Sequence, residues 1–185
     1  MITYNDLYEA ARKERYSDQL QALPRNFVEQ VADYFEDKKE LSSKEESLFS
    51  DSLMKTKKQF ENAVTIFKEL MLRRRKKLLN FVFVASETGI SKKDFENMLP
   101  FEKSLFEEIM KNFGNAEREV NELLHGKKGV AEVNYELIVF KDDVPEFMGF
   151  DGNKIGPFVK GQLANLPKEI TKILIGDRKA EKAEE

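Results

Sequence analysis

Apolar residues recur at helical spacing through the first two thirds of the chain. Thr3 with Asp6 three residues on forms a capping-box arrangement, followed by a face of Leu7, Ala10 and Ala11. Pro24 sits near the start of a second predicted helix with the face Phe27, Val31, Tyr34 and Phe35. Ser43 with Glu46 marks the expected start of a third. Neither glycine nor proline occurs between Pro24 and Gly89, and Phe49, Leu53, Phe60, Val64, Phe67, Met71, Leu78, Val82 and Ala85 fall on one helix face. Unbroken from Ser43 to Ala85, this helix spans about 65 Å at ~1.5 Å per residue. A compact domain of this size is only ~30–40 Å across, so the helix either breaks or needs a partner to cover it. Ile66, Leu70 and Leu72 widen its apolar face. Ser91 with Asp94 opens a short fourth helix that ends at Pro100. A fifth runs from Pro100 to about Leu124, with Gly126 beyond.

The pattern then changes. The first glycine is Gly89, and seven of the nine glycines and three of the five prolines lie late in the chain. Such residues punctuate turns between short strands. Tyr135 to Phe140 has strand composition. Pro145 to Phe150 is a second candidate, Asp151-Gly152 a hairpin turn, and Lys154 to Phe158 the returning strand. Leu166-Pro167 leads into a short helix with Ile170, Ile173 and Leu174 on one face. The predicted fold is therefore mainly α, a helical bundle with one long helix, followed by a small β-rich module with a terminal short helix. The expected boundaries are a helical domain over 1–125, a linker over 126–134, a β-rich domain over 135–176 and a fraying charged tail over 177–185. A module under fifty residues is marginal alone and needs a surface to sit on.

Charge narrows the function. Charged residues make up 35% of the chain, yet the net charge is only −3, which does not fit a dedicated nucleic-acid binder. The run Arg73 to Lys77 is the exception, and a DNA-binding regulator using it is the alternative reading. Five successive helical residues wrap around the axis as a collar, however, and do not make a DNA-tracking stripe. Within the run, Arg74 follows Leu53, Phe60 and Phe67 at heptad spacing, on the apolar seam. An arginine there needs a carboxylate or carbonyl partner, inside the bundle or across a subunit interface. Thr88 to Phe101 imitates a helix-turn-helix, but Phe95, Met98 and Leu99 read as core.

Catalytic chemistry is not legible. There is no cysteine, and His125, the sole histidine, sits at a predicted helix C-terminus where the helix dipole favours imidazolium. The glycine-rich phosphate fingerprints and the Gly-x-Ser-x-Gly elbow are absent. Asp142, Asp143, Glu146 and Asp151 do not have EF-hand spacing and read as a solvated turn; a small hydrolase built on them is a remote alternative. Neither a metal nor a cofactor is expected. The first fifteen residues lack a signal-peptide core, and no apolar run approaches the ~20 residues of a membrane span; the expected location is cytoplasmic.

Four stretches together carry a resemblance. They are Leu7 to Arg15 followed by Leu20-Gln-Ala-Leu-Pro24 and Phe27; the long helix with its basic run and the apolar turn after it; Met98 to Phe106; and Val144-Pro-Glu-Phe-Met-Gly-Phe-Asp-Gly152, then Ile155-Gly-Pro-Phe158 and Gly161-Gln-Leu-Ala-Asn-Leu-Pro167. In this order they resemble the GINS proteins of archaeal and eukaryotic DNA replication. A helical domain first and a β domain second resembles the archaeal fifty-one type, related to the eukaryotic Sld-five and Psf-one subunits. Ile155 departs from the family, which often has an aromatic before Gly-Pro-Phe. The resemblance implies a non-catalytic scaffold. Its helical domain assembles a tetramer, either two copies with two of a sister subunit or four copies alone. The tetramer joins the MCM helicase to a RecJ-family protein, the relative of Cdc-forty-five, at replication forks, with weak or no direct nucleic-acid binding. On this reading Phe60, Val64, Phe67, Leu70, Met71, Arg74 and Leu78 serve oligomerisation. Phe140, Phe147 and Phe158 serve the β module, two in its core and one as a partner anchor.

Overall fold

The computed structural model describes residues 2–44, 50–125, 135–150 and 152–183. As expected, a mostly helical N-terminal region precedes an antiparallel sheet and a short helix. The chain forms two compact units, Met1–Lys77 with Asn97–Pro100, and Leu78–Glu96 with Phe101–Glu185. The expected linker, 126–134, lies outside the described residues.

The first unit contains α1 (Tyr4–Arg15), α2 (Phe27–Lys44) and the first part of α3 (Ser50–Glu87). The capping box at Thr3 is formed: the Asp6 amide donates to Thr3 Oγ1 at 3.2 Å, and the Thr3 amide donates to Asp6 Oδ2 at 2.9 Å. Leu7, Ala11, Phe27, Val31, Tyr34, Ala63, Leu70 and Leu99 share one core. Phe35 packs edge-on against Phe60 and Phe67, with ring centroids 5.6 and 6.0 Å apart. The expected third-helix start is displaced. α2 runs through Ser43 to Lys44 and α3 begins at Ser50, because good helix formers from Glu36 to Leu41 carry the helix past a local capping signal. Glu46 and Phe49 lie outside the described residues.

The second unit contains the end of α3, β1 (Ile90–Ser91), α4 (Lys92–Glu96), α5 (Pro100–His125), β2 (Tyr135–Phe140), β3 (Phe147–Met148), β4 (Lys154–Ile155), β5 (Gln162–Pro167), α6 (Lys168–Gly176) and β6 (Ala180–Lys182). One antiparallel sheet has the order β1-β5-β2-β6, and β3 pairs with β4 as a separate hairpin. Gly152, in the hairpin turn, has φ +81°, a conformation that side chains rarely adopt. Ile138, Phe140, Ala164 and Leu166 pack with Ile170 and Leu174 of α6, which is the alternation expected of strands with one face covered.

Three expectations for this unit are corrected. Ser91 lies in β1, although its Oγ still accepts from the Lys93 amide at 3.2 Å at the start of α4. Ile173 is exposed, while Ile170 and Leu174 face the core. The tail expected to fray forms β6, matched as Ile138↔Lys182, Val139↔Glu181 and Phe140↔Ala180. An edge strand needs only one covered side, and Ala180 alone supplies the inward contact. Glu181 reaches Lys141 at 2.6 Å and Lys182 reaches Glu136 at 3.1 Å, so a segment that reads as pure charge is held by main-chain pairing and cross-strand ion pairs.

Glu136 gives this edge a pH dependence. Hydrogen bonding to Lys182 holds its carboxyl below the usual range, aided by the Thr171 hydroxyl and the nearby charges of Lys182 and Lys168. Because the folded value is the lower one, the stabilisation is fully present above the ordinary carboxylate pKa and is lost as pH falls through the folded value. Protection of the β6 amides, taken relative to their intrinsic exchange rate at each pH, should therefore fall on acidification. In Glu136→Gln it should start lower and respond less to pH; an unchanged acid response in the variant would remove Glu136 from this role.

Candidate functional site

The most constrained polar site lies in the first unit, around Arg74. Arg74 on α3 and Glu14 on α1 are fully buried, and Arg74 Nη1 donates to Glu14 Oε2 at 2.9 Å. The same guanidinium donates to the Gln21 carbonyl at 2.7 Å and the Asn97 carbonyl at 2.9 Å. Lys77 donates to the other Glu14 oxygen, to the Glu14 carbonyl at 2.8 Å and to the Gln19 carbonyl at 3.0 Å. Asn97 Nδ2 donates to the Leu20 carbonyl at 2.7 Å. Two cations on one helix thus gather α1, the α1–α2 loop and the segment before α5 around a carboxylate that is itself out of reach of solvent. This is an internal ion pair, one of the two alternatives that seam position leaves open. Its partners were not legible in advance, because Glu14, Gln19, Gln21 and Asn97 lie far from Arg74 in sequence.

The network consumes much of the basic run. Arg73 pairs with Glu69 at 2.9 Å across one helical turn, and Glu69 also receives Arg15 at 2.9 Å. Those contacts hold the Glu69 carboxyl below its usual range, the Arg73 hydrogen bond most of all. Arg75 and Lys76 are exposed. Buried Phe95, Met98 and Leu99, together with Ile90–Ser91 as a strand, remove the helix-turn-helix reading.

The candidate acids are occupied locally. Asp143 Oδ1 accepts from the Lys160 amide at 2.8 Å, and Glu146 pairs with Lys154 at 2.7 Å; Asp151 lies outside the described residues. Among the described residues, the His, Asp and Glu side chains form no cluster of three or more able to hold a metal ion. No described helix is long and apolar enough to cross a membrane. His125 closes α5 as its last residue.

Burial sorts the residues assigned to assembly. Leu70, Met71 and Arg74 are buried in the first unit and Leu78 in the second, so their surface is spent inside the chain. Phe60, Val64 and Phe67 are half-buried. Among the described side chains, the apolar surface left open on α3 is Met54 and Leu72 in the first unit and Leu79, Phe83 and Val84 in the second. On α5 it includes Val120, Leu123 and Leu124. Periodicity alone did not separate Leu72 or Leu79 from the buried face, because apolar residues occupy both sides of α3.

The aromatics of the C-terminal region divide as well. Phe140 and Phe158 are 1% and 2% exposed and stack with centroids 4.3 Å apart, which leaves neither ring available as an anchor. Phe147 is half-buried against the same core. Phe150, 75% exposed beside the hairpin turn, is the free aromatic, with Met148 exposed on β3. Phe150 was missed because it reads as the last residue of a strand that in fact stops at Met148.

Residues 136–183 match the family described as Gins51, C-terminal domain. The match starts one residue into β2 and ends one residue after β6, so it takes in the tail strand. No curated protein matches the chain. The C-terminal region thus belongs to the Gins51 C-terminal domain family and follows a helical region.

The Arg74 network makes a sharp contrast within adjacent residues. Arg74→Leu takes one of two cations from a buried carboxylate and leaves the Gln21 and Asn97 carbonyls without their donor, and should cost about 3–5 kcal/mol. Arg73→Leu removes an exposed pair and should cost about 1 kcal/mol or less. Chemical denaturation of the two variants measures both, and equal small losses would refute the structural role of Arg74.

Proposed function

We propose, with the Gins51 C-terminal domain as premise, that the chain is a non-catalytic scaffold subunit of a GINS tetramer that joins the MCM helicase to a RecJ-family protein. The match over residues 136–183 is the observation that carries this reading. The tetramer is two copies with two of a sister subunit, or four copies of this chain.

Assembly falls to the helical region. Leu79, Phe83 and Val84 expose apolar surface along neighbouring turns of α3, and Leu123 and Leu124 do so at the end of α5. Solvated monomers seldom keep contiguous apolar surface of this kind. Phe60, Val64 and Phe67, half-buried in the first unit, are a separate apolar surface for a neighbouring subunit. Recruitment of the helicase or the RecJ-family protein falls to the C-terminal domain, with Phe150 and the half-buried Phe147 as the aromatic contacts, since aromatic anchors dominate interface energetics. Both cationic residues of the basic run that remain exposed, Arg75 and Lys76, are too few to track a duplex.

Two experiments test the division of labour. The mass of the purified chain, alone and with a sister subunit, should correspond to a tetramer; Leu79→Asp with Phe83→Asp should reduce it to smaller species. Phe150→Ala should keep the tetramer mass and lose capture of the purified RecJ-family protein or MCM. A monomer at high concentration in every mixture, or Phe150→Ala retaining both partners in full, would overturn the assignment.

A further inference from the structure

The C-terminal sheet has two edges. β6 closes one; the other is closed by β1, two residues contributed from the loop after α3. β1 meets β5 as Ile90↔Leu163 and Ser91↔Gln162, and the Lys92 amide donates to the Gly161 carbonyl at 3.0 Å. β5 itself is six residues long. Gly89 has φ +80°, and a Cβ there would lie 2.5 Å from the Leu163 carbonyl oxygen. Main chain approaches main chain so closely that only glycine fits. Ile90, next in sequence, is buried against the sheet. Beyond β1 the strand continues to Asn165, which with Tyr135 and Leu137 faces Phe106 and Met110 of α5 across a groove of about 290 Å³.

We propose that β1 is an intrachain placeholder on a strand-addition edge: β5 takes an extended segment of a partner protein bearing a glycine followed by a branched apolar residue, and β1 yields to it. A two-residue ladder is too short to be stable alone. A longer incoming strand adds main-chain hydrogen bonds past Leu163 and places further side chains toward the groove, while the Gly89 and Ile90 positions state what the edge accepts. The geometry carries this whichever assembly the subunit enters.

The absence of cysteine makes the edge directly testable in the full chain. The Lys92–Gly161 hydrogen bond makes Ser91↔Gln162 a non-hydrogen-bonded pair, where Cα atoms approach to ~4.5 Å, within disulfide range. The double variant Ser91→Cys with Gln162→Cys should form an intrachain disulfide on mild oxidation. The probe is a synthetic peptide with the sequence of residues 86–95. Saturating peptide added before oxidation should slow crosslinking about tenfold, as expected when the open edge becomes the dominant state. The same peptide carrying Gly89→Val should leave the rate unchanged. A labelled peptide should bind the reduced chain and not the disulfide-locked one. Failure to crosslink within the chain, a rate indifferent to the peptide, or equal binding to locked and reduced chains would each overturn the proposal.

Discussion

A fully buried carboxylate can be kept in an apolar unit only if cations meet it from more than one side, and Glu14 is such a group. Arg74 and Lys77, three residues apart on α3, approach its two oxygens. Their remaining donors are satisfied by main-chain carbonyls of Gln19, Gln21 and Asn97. Replacing any one member strands the others, so the interaction fixes a chain path as well as a pair. The loop between α1 and α2 has no regular structure of its own over Ser17–Pro24 beyond bends, yet its carbonyls are held in place from α3. The apolar core of Leu7, Val31 and Leu70 then closes around geometry that the polar network defines.

This explains why a run that advertises nucleic-acid binding does other work. Charge runs are read from sequence as surfaces, but a helix distributes five consecutive residues around its whole circumference. Arg74 and Lys77 turn toward the core, Arg73 lies along the helix in a partly exposed pair with Glu69, and Arg75 and Lys76 face solvent. The heptad relation of Arg74 to Phe60 and Phe67 was enough to place it on the apolar seam, with the core and a subunit interface both open. The identity of its partner was not, since a contact between positions 14 and 74 leaves no local signature.

The same distinction separates what was legible in the C-terminal region from what was not. Tyr135 to Phe140 is dense in β-formers and was readable as a strand. The hairpin was readable from Asp151-Gly152. β5, which lies between β1 and β2 in the sheet, was not, because Gln162-Leu-Ala-Asn-Leu-Pro167 is weak in β propensity and is made a strand by its neighbours. β6 was hidden by composition, as alternating acids and bases look like a solvated tail until Lys141 and Glu136 are placed opposite them. Burial within the chain also redistributed the site. Phe140 and Phe158 became core and Phe150 became surface, a sorting that depends on where the strand β3 stops.

The guarded outer strand has a consequence for how the sheet meets the world. Glu181 and Lys182 stand on β6 with opposite signs, tied to Lys141 just past the end of β2 and to Glu136 on β2. Charged residues on a terminal strand discourage indiscriminate sheet-to-sheet growth. With that flank defended, the sheet has a handedness of approach: molecules arriving as extended chains are admitted from one side only. Such directionality keeps copies of the sheet from polymerising through both flanks.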